Sequence, residues 1–222
     1  MSLPSLNRPR RFGLALLLLA VPACGLTDYE MLMRESQERE ERFRSEQKYL
    51  GPPLQMPTQK DKEDREVPLA SVFLRPPKGV ESKPKQSGMM WRYGADSRSD
   101  FIAVDMAFAE DNKDFSRNVL EYYGRPDIAI TPRQITALGQ KSPMNIDSCE
   151  FSSEQRGYSV NILKDSSKPV AIVYIYKKDR AESARKIIEL SLQSVGIDQG
   201  YSTAKMRYNQ KSPWKLQAQS HP

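Results

Sequence analysis

The stretch Val170-Ala171-Ile172-Val173-Tyr174-Ile175-Tyr176 decides the fold, because it is apolar at every position. A short apolar run without alternation predicts a strand that is buried on both faces. We therefore place these residues at the centre of a sheet that is covered on both sides.

The segments on either side of this stretch extend the sheet. Tyr158–Leu163 predicts a strand that pairs with it as a hairpin, and the polar residues 164–169 supply the turn. Phe101–Phe108 predicts a half-buried strand, since larger apolar residues alternate with smaller or acidic ones. The larger set is Ile102, Val104, Met106 and Phe108, and the other is Ala103, Asp105 and Ala107.

Two helices are predicted to cover the sheet. The first follows the capping residues 111–114 and ends at Tyr123, since Gly124 and Pro126 come next. The second begins at Asp179, which can cap with Glu182 three residues on, and ends at Gly196. Their predicted buried residues are Phe115, Val119, Leu120 and Tyr123 in the first, and Ala184, Ile187, Ile188, Ser191, Leu192 and Val195 in the second.

The fold class predicted by these elements is α+β, with a mainly antiparallel sheet and covering helices. Shorter strands are predicted at 67–74, 89–93, 127–131 and 148–151, whereas the pattern of 133–142 is ambiguous. Strands outnumber helices, and hairpins join them, which favours an antiparallel arrangement.

The first 25 residues predict an export signal. Arg8, Arg10 and Arg11 precede the apolar run Phe12–Val21, and small residues follow near Cys24. The run is about half of the roughly 20 residues that a helix needs to cross a bilayer. It therefore predicts a signal and not a permanent span.

The segment Val21-Pro22-Ala23-Cys24 resembles the lipobox of bacterial lipoproteins. This resemblance implies cleavage before Cys24, lipidation of that cysteine, and attachment to a membrane of the cell envelope, facing the periplasm or the exterior. The alternatives are an ordinary signal peptide in which Cys24 is incidental, or a buried apolar helix.

The domain organisation follows from shifts in composition. We predict a signal peptide at 1–23, a lipidated Cys24 with a charged helix at 24–50, a linker at 51–66, the α+β domain at 67–197 and a polar tail at 198–222. The helix is predicted to start at Thr27, to end near Tyr49 and to act as a spacer, the alternative being a coiled coil or partner-binding helix. In the tail, Trp214 either docks on the domain or meets a partner or lipid.

Composition excludes several classes of function. The net charge of +6 includes the three arginines of the predicted signal, so the predicted mature chain carries only half of this charge. So small and scattered a charge does not form the clustered basic face that nucleic-acid binding requires. The only histidine is His221, which excludes a Ser-His-Asp triad within the domain. No glycine-rich phosphate loop is present. We predict no cofactor, no metal and no catalytic residue.

A few polar and aromatic residues remain as candidates, and each has a simpler structural interpretation. Asp105 is either a buried acid or, more simply, exposed on a face with Ala103 and Ala107. Cys149 is predicted to be a small, buried apolar residue. Asp147 and Glu150 beside it either bind metal or are loop charges. Aromatic residues that either line a groove or belong to the core are Tyr122, Tyr123, Tyr174 and Tyr176.

The ending of the chain, a hairpin followed by a covering helix, resembles the closing part of Mog1/PsbP-type domains. That resemblance implies an α/β/α sandwich that is used for binding or assembly. The sequence thus favours a non-enzymatic, membrane-anchored lipoprotein with a small binding domain and a possible protein partner in the envelope. The alternative is an exported enzyme or metal-binding domain.

Overall fold

The computed structural model describes residues 23–110, 113–137, 143–164 and 168–209. The chain divides into two units between Ser45 and Glu46. The helices are α1 (Ala23–Tyr49), α2 (Phe115–Tyr122), α3 (Ala181–Gln193) and α4 (Gln199–Asn209), with a 3-10 turn at Lys178–Arg180. The strands are β1 (Thr58–Lys60), β2 (Glu66–Pro68), β3 (Val72–Phe73), β4 (Lys85–Ser87), β5 (Met90–Gly94), β6 (Phe101–Phe108), β7 (Thr131–Ile135), β8 (Met144–Ser152), β9 (Arg156–Leu163), β10 (Val170–Lys177) and β11 (Gly196–Ile197).

The main sheet of the second unit has seven strands in the order β4-β5-β6-β10-β9-β8-β7, all antiparallel to their neighbours. Strand β10 is the middle strand, and no residue from Val170 to Tyr176 is more than 3% exposed. The predicted central strand, its hairpin with β9 and the α+β class are therefore confirmed.

One helix covers each face of this sheet. On the face that we call the α2 face, Phe115 and Leu120 of α2 cluster with Val173 of β10. On the opposite α3 face, Ile188 and Leu192 of α3 cluster with Ile172 and its neighbours. The sheet is thus the middle of three layers, which is why β10 is apolar on both sides.

Two predicted helix caps are wrong. Helix α1 begins at Ala23, so Thr27 lies inside the helix and is not its cap. Helix α3 follows directly on the 3-10 turn, which contains Asp179, and its N-cap residue is Arg180. In both cases helical backbone starts earlier than the sequence pattern indicated.

The segments predicted as linker and tail also differ from the structure. Leu54, in the predicted linker, is only 6% exposed and belongs to the core on the α3 face. Its amide donates to the Leu74 carbonyl at 2.9 Å, and the Tyr93 hydroxyl donates to the Gln55 carbonyl at 2.8 Å. In the predicted tail, residues 199–209 form α4. The domain therefore begins at Glu46, and it extends at least to Asn209.

The last turn of α1, from Glu46, is held by a buried ion pair. The Arg75 guanidinium lies 3.0 Å from the Glu46 carboxylate, and both side chains are 9% exposed. Arg75 Nε also donates to the Gly51 carbonyl at 3.2 Å. These contacts join residues 46–51 to the segment that follows β3.

We expect a fragment of residues 46–209 to keep the cooperative thermal unfolding of the domain, and a fragment of residues 67–196 to melt at a lower temperature. The shorter fragment lacks Leu54, and burial of a leucine side chain is worth about 1.5–3 kcal/mol. It also lacks Glu46, which leaves the Arg75 guanidinium without its carboxylate. Circular dichroism melts of the two fragments provide the comparison, and equal midpoints would contradict the earlier domain start.

Candidate functional site

The predicted anchor lies at the edge of the described chain. Cys24 belongs to the first turn of α1, whereas residues 8–21 of the predicted signal lie outside the described residues, as does Trp214. Within the described ranges, no helix combines the length and the apolar character needed to cross a membrane. Lipidation of Cys24 therefore stays a prediction.

The prediction that Asp105 is exposed is wrong, because this carboxylate is completely buried. The Arg92 guanidinium lies directly opposite on β5 and donates to both carboxylate oxygens, at 2.9 Å through Nε and 2.7 Å through Nη2. The Tyr123 hydroxyl, just after α2, donates to Oδ2 at 2.7 Å. Helix α2 covers the face of β6 that was expected to contact solvent. The Tyr123 hydroxyl, at the C-terminal end of this helix, is the third group that contacts Asp105.

The Arg92–Asp105–Tyr123 cluster is a structural cross-link. Burial, followed by the nearby Asp105 charge, raises the pKa of Tyr123 well above its ordinary value. The hydrogen bond to Asp105 raises the pKa of Arg92. A general base must reach the proton that it abstracts, and Asp105 has no exposed surface. The cluster therefore joins β5, β6 and α2, and its carboxylate is not accessible as a general base.

Cys149 is buried on the α2 face, and its two acidic neighbours are paired elsewhere. Asp147 forms an ion pair with Lys164, and Glu150 lies 2.8 Å from the Arg185 guanidinium of α3. Burial, followed by the charge of Glu150, raises the pKa of the Cys149 thiol from 9.0 to about 11. In the part of the chain that the structure describes, no group of three His, Cys, Asp or Glu residues is placed to hold a metal ion.

We expect Cys149 to alkylate at least about 100-fold more slowly in the folded protein than in urea at pH 8. A thiolate is the reactive form, and a pKa near 11 instead of 9.0 lowers the thiolate fraction by about that factor. Iodoacetamide labelling of a Cys24→Ser variant, followed by mass spectrometry, measures this rate. Similar rates with and without urea would show that the thiol is not buried as described.

The two tyrosine pairs have different environments. Tyr174 and Tyr176 are 0% and 3% exposed, so they belong to the core as the simpler interpretation predicted. The Tyr174 hydroxyl donates to Ser191 Oγ of α3 at 2.9 Å. Tyr122 is 37% exposed, and its ring packs edge-on against Tyr123 at 5.1 Å between centroids. Neither pair forms part of the wall of a described cavity.

A groove of about 490 Å³ lies beside α4, and we call it the α4 groove. One wall comes from residues 53–56, one from residues 68–73 including β3, and one from α4. The lining residues are Pro53, Leu54, Gln55, Met56, Pro68, Ala70, Ser71, Val72, Phe73, Tyr201, Lys205, Tyr208 and Asn209. Its volume falls in the range of about 300–1,000 Å³ that is typical of small-molecule sites.

Aromatic contacts hold α4 against β3. The Phe73 ring lies 6.5 Å from the Tyr201 ring and 6.0 Å from the Tyr208 ring, measured between centroids. The Arg75 guanidinium lies 5.1 Å from the centroid of the Tyr208 ring, which is a cation–π distance. The buried Glu46–Arg75 pair and the groove wall are therefore parts of one connected structure.

Gly196 lets α4 approach β11 closely. A Cβ atom at this position would lie 2.5 Å from the Cβ atom of Ala204 and 2.6 Å from the Gly200 carbonyl oxygen. Any larger residue would push α4 outward, because real Cβ atoms do not approach other atoms this closely. The small residues at 196 and 204 thus allow α4 to pack closely against β11.

The described lining of the α4 groove carries one positive charge. Lys205 is the charged residue of its described lining, and its ammonium lies 5.7 Å from the Tyr201 ring centroid. A second, more open depression of about 630 Å³ has residues of both charges, including Arg156, Lys178 and Asp179. Because the α4 groove combines an apolar lining with one cation, it is the better candidate for a binding site.

Comparisons with known proteins do not place the chain in a family. No family model matches it, and no curated protein matches it.

Proposed function

We propose that this chain is an exported bacterial lipoprotein, held on a membrane of the cell envelope by lipid on Cys24, with a small binding or assembly domain that faces the periplasm or the exterior. The single observation that carries this proposal is the order of Arg8–Arg11, an apolar run and Ala23-Cys24-Gly25. A basic region, a short apolar region and a small residue at a cleavage point are the parts of an export signal.

The anchor is tested with a Cys24→Ser variant of the full chain. Metabolic labelling with radioactive palmitate is expected to mark the parent protein and a Cys149→Ser control, but not Cys24→Ser. The parent is also expected to sediment with membranes, since several acyl chains give stable attachment where one does not. Label retained on Cys24→Ser would rule out this lipidation site.

The domain is proposed to bind and not to catalyse. In the polar cluster of Arg92, Asp105 and Tyr123, the buried carboxylate is engaged in internal hydrogen bonds. The α4 groove instead presents apolar side chains such as Leu54 and Met56, with the Lys205 ammonium at its wall. A surface of this kind suits a ligand with an apolar body and a negative group.

The occupant proposed for the α4 groove is an extended segment of a partner protein that carries aliphatic or proline side chains and one carboxylate. The lone cation of the described lining supplies the charge complementarity. Aromatic-lined grooves recognise extended proline-containing segments because these lose little conformational entropy on binding. This occupant is consistent with an assembly role at the envelope.

The binding role is tested by fluorescence anisotropy with a labelled Leu-Pro-Leu-Pro-Glu peptide and the mature protein. Affinity is expected to fall several-fold with a Gln-ending peptide or with Lys205→Glu, since one exposed ion pair is worth up to about 1 kcal/mol. Ala70→Phe is expected to block binding by filling the groove. Met206→Ala is the control on α4, because Met206 is 61% exposed and outside the lining. Equal binding by parent and Ala70→Phe would exclude the groove as the site.

A further inference from the structure

The first turns of α1 expose an apolar stripe. Tyr29, Leu32 and Met33 are 61%, 65% and 45% exposed. Their spacing of three and four residues places them side by side on one face of the helix. We call these three residues the α1 stripe. Met31, which is 59% exposed, lies on the other side of the same turn, so three of the four exposed apolar side chains in these turns share one face. Exposed apolar side chains that share a face indicate a surface that contacts something other than water.

The α1 stripe is confined to the beginning of the helix. The same face continues with Ser36 and Glu40, and residues 38–42 are all charged. Packing against a second copy of α1 would require the apolar repeat to continue over three or four heptads. Three side chains bury too little area for a stable dimer, so a second copy is not the favoured occupant.

The stripe lies next to the end of the signal. The undescribed residues 1–22 stop directly before Ala23, the first residue of α1, and Cys24 follows. At a rise of 1.5 Å per residue, the backbone of Tyr29 is about 7.5 Å along the helix from Cys24, and that of Met33 about 13.5 Å. Interfacial helices bury their apolar faces about 5–10 Å into the headgroup and acyl boundary.

We propose that the α1 stripe lies in the headgroup region of the membrane that holds the anchor. This inference rests on the proposed function, because lipid on Cys24 is what fixes the first turns of α1 at the bilayer. The residues around the stripe include the acids Asp28, Glu30 and Glu35. The contact is therefore driven by burial of apolar side chains and not by attraction to anionic lipid.

The test measures the depth of single positions in the lipidated full-length protein. A Leu32→Cys variant and a Glu41→Cys variant, each with Cys149→Ala, are labelled with the fluorophore NBD and reconstituted in phosphatidylcholine vesicles. Met31→Cys reports the opposite side of the same turn. Spin-labelled lipid is expected to quench position 32 strongly, position 31 less and position 41 least, and salt is expected to change this order little.

The possible outcomes distinguish failure of the stripe proposal from failure of the proposed lipid anchor. Equal quenching at positions 32 and 41, in protein that remains on vesicles with acylated Cys24, would overturn the stripe proposal alone. Equal quenching at positions 31 and 32 would overturn it too, because the helix face would then have no preference for lipid. Protein whose Cys24 carries no acyl group by mass spectrometry would overturn the proposed function and this inference together.

Discussion

Arg92→Met is expected to lower the free energy of unfolding of the domain by about 3–5 kcal/mol, because it leaves a buried carboxylate without its cation. Asp105 is 0% exposed and, of the three donor groups that contact it, would keep only the Tyr123 hydroxyl. Asp105→Leu is expected to cost less, since the Arg92 side chain is 41% exposed and can reach water. Urea unfolding followed by circular dichroism measures both variants.

The controls for this pair are a double variant and a surface aspartate. Combining Arg92→Met with Asp105→Leu is expected to recover much of the loss, because replacing a whole buried pair by apolar groups is often neutral. Asp179→Ala should stay within about 0.5 kcal/mol of the parent, since that side chain is 75% exposed. An Arg92→Met variant as stable as Asp179→Ala would contradict the buried cross-link.

Ile172→Asp is expected to abolish the cooperative unfolding transition. Ile172 is 0% exposed and lies in the middle strand of the seven-stranded sheet, on the face that α3 covers. An unpaired charge there costs several kcal/mol against a total stability of roughly 5–15 kcal/mol. Scanning calorimetry provides the measurement.

The matched control for Ile172→Asp is Lys178→Asp, which places the same charge just beyond the end of β10, where the chain is exposed. This variant is expected to melt close to the parent. If Ile172→Asp also melted like the parent, the central position of β10 would be wrong.

Periodicity predicted the parts of the fold whose burial shows in local sequence. The run from Val170 to Tyr176 has no polar position, so its place between two layers could be inferred directly. Gly124 was predicted to stop α2, and it has φ of 67° while its amide donates to the Glu121 carbonyl. A left-handed residue of this kind after a helix is a local signal that glycine supplies.

The environment of Asp105 could not be predicted because it depends on strand register. The alternation of Ala103, Asp105 and Ala107 is also the pattern of a solvent-facing side. The partner residue Arg92 lies opposite Asp105 only because β5 pairs with β6 in one particular register. The sequence of neither strand determines this register. Tyr123, the other partner of Asp105, comes from the end of a third element, helix α2.

The α4 groove was missed because its elements lack apolar periodicity. Leu54 is a single leucine between prolines and polar residues, so its position in the core depends on contacts with Leu74 and Tyr93. Helix α4 is mostly polar, although Tyr201 and Tyr208 are seven residues apart, which is two helical turns. That spacing was the available signal, and it predicts one aromatic face.

The most direct test of the central claim is the intact mass of the mature protein purified from membranes. The mature chain is expected to begin at Cys24 with the added mass of lipid on that residue, and digestion is expected to release the lipid-bearing peptide. A chain that still begins at Met1, or one cleaved at another bond and free of lipid, would contradict the claim that this is an anchored lipoprotein.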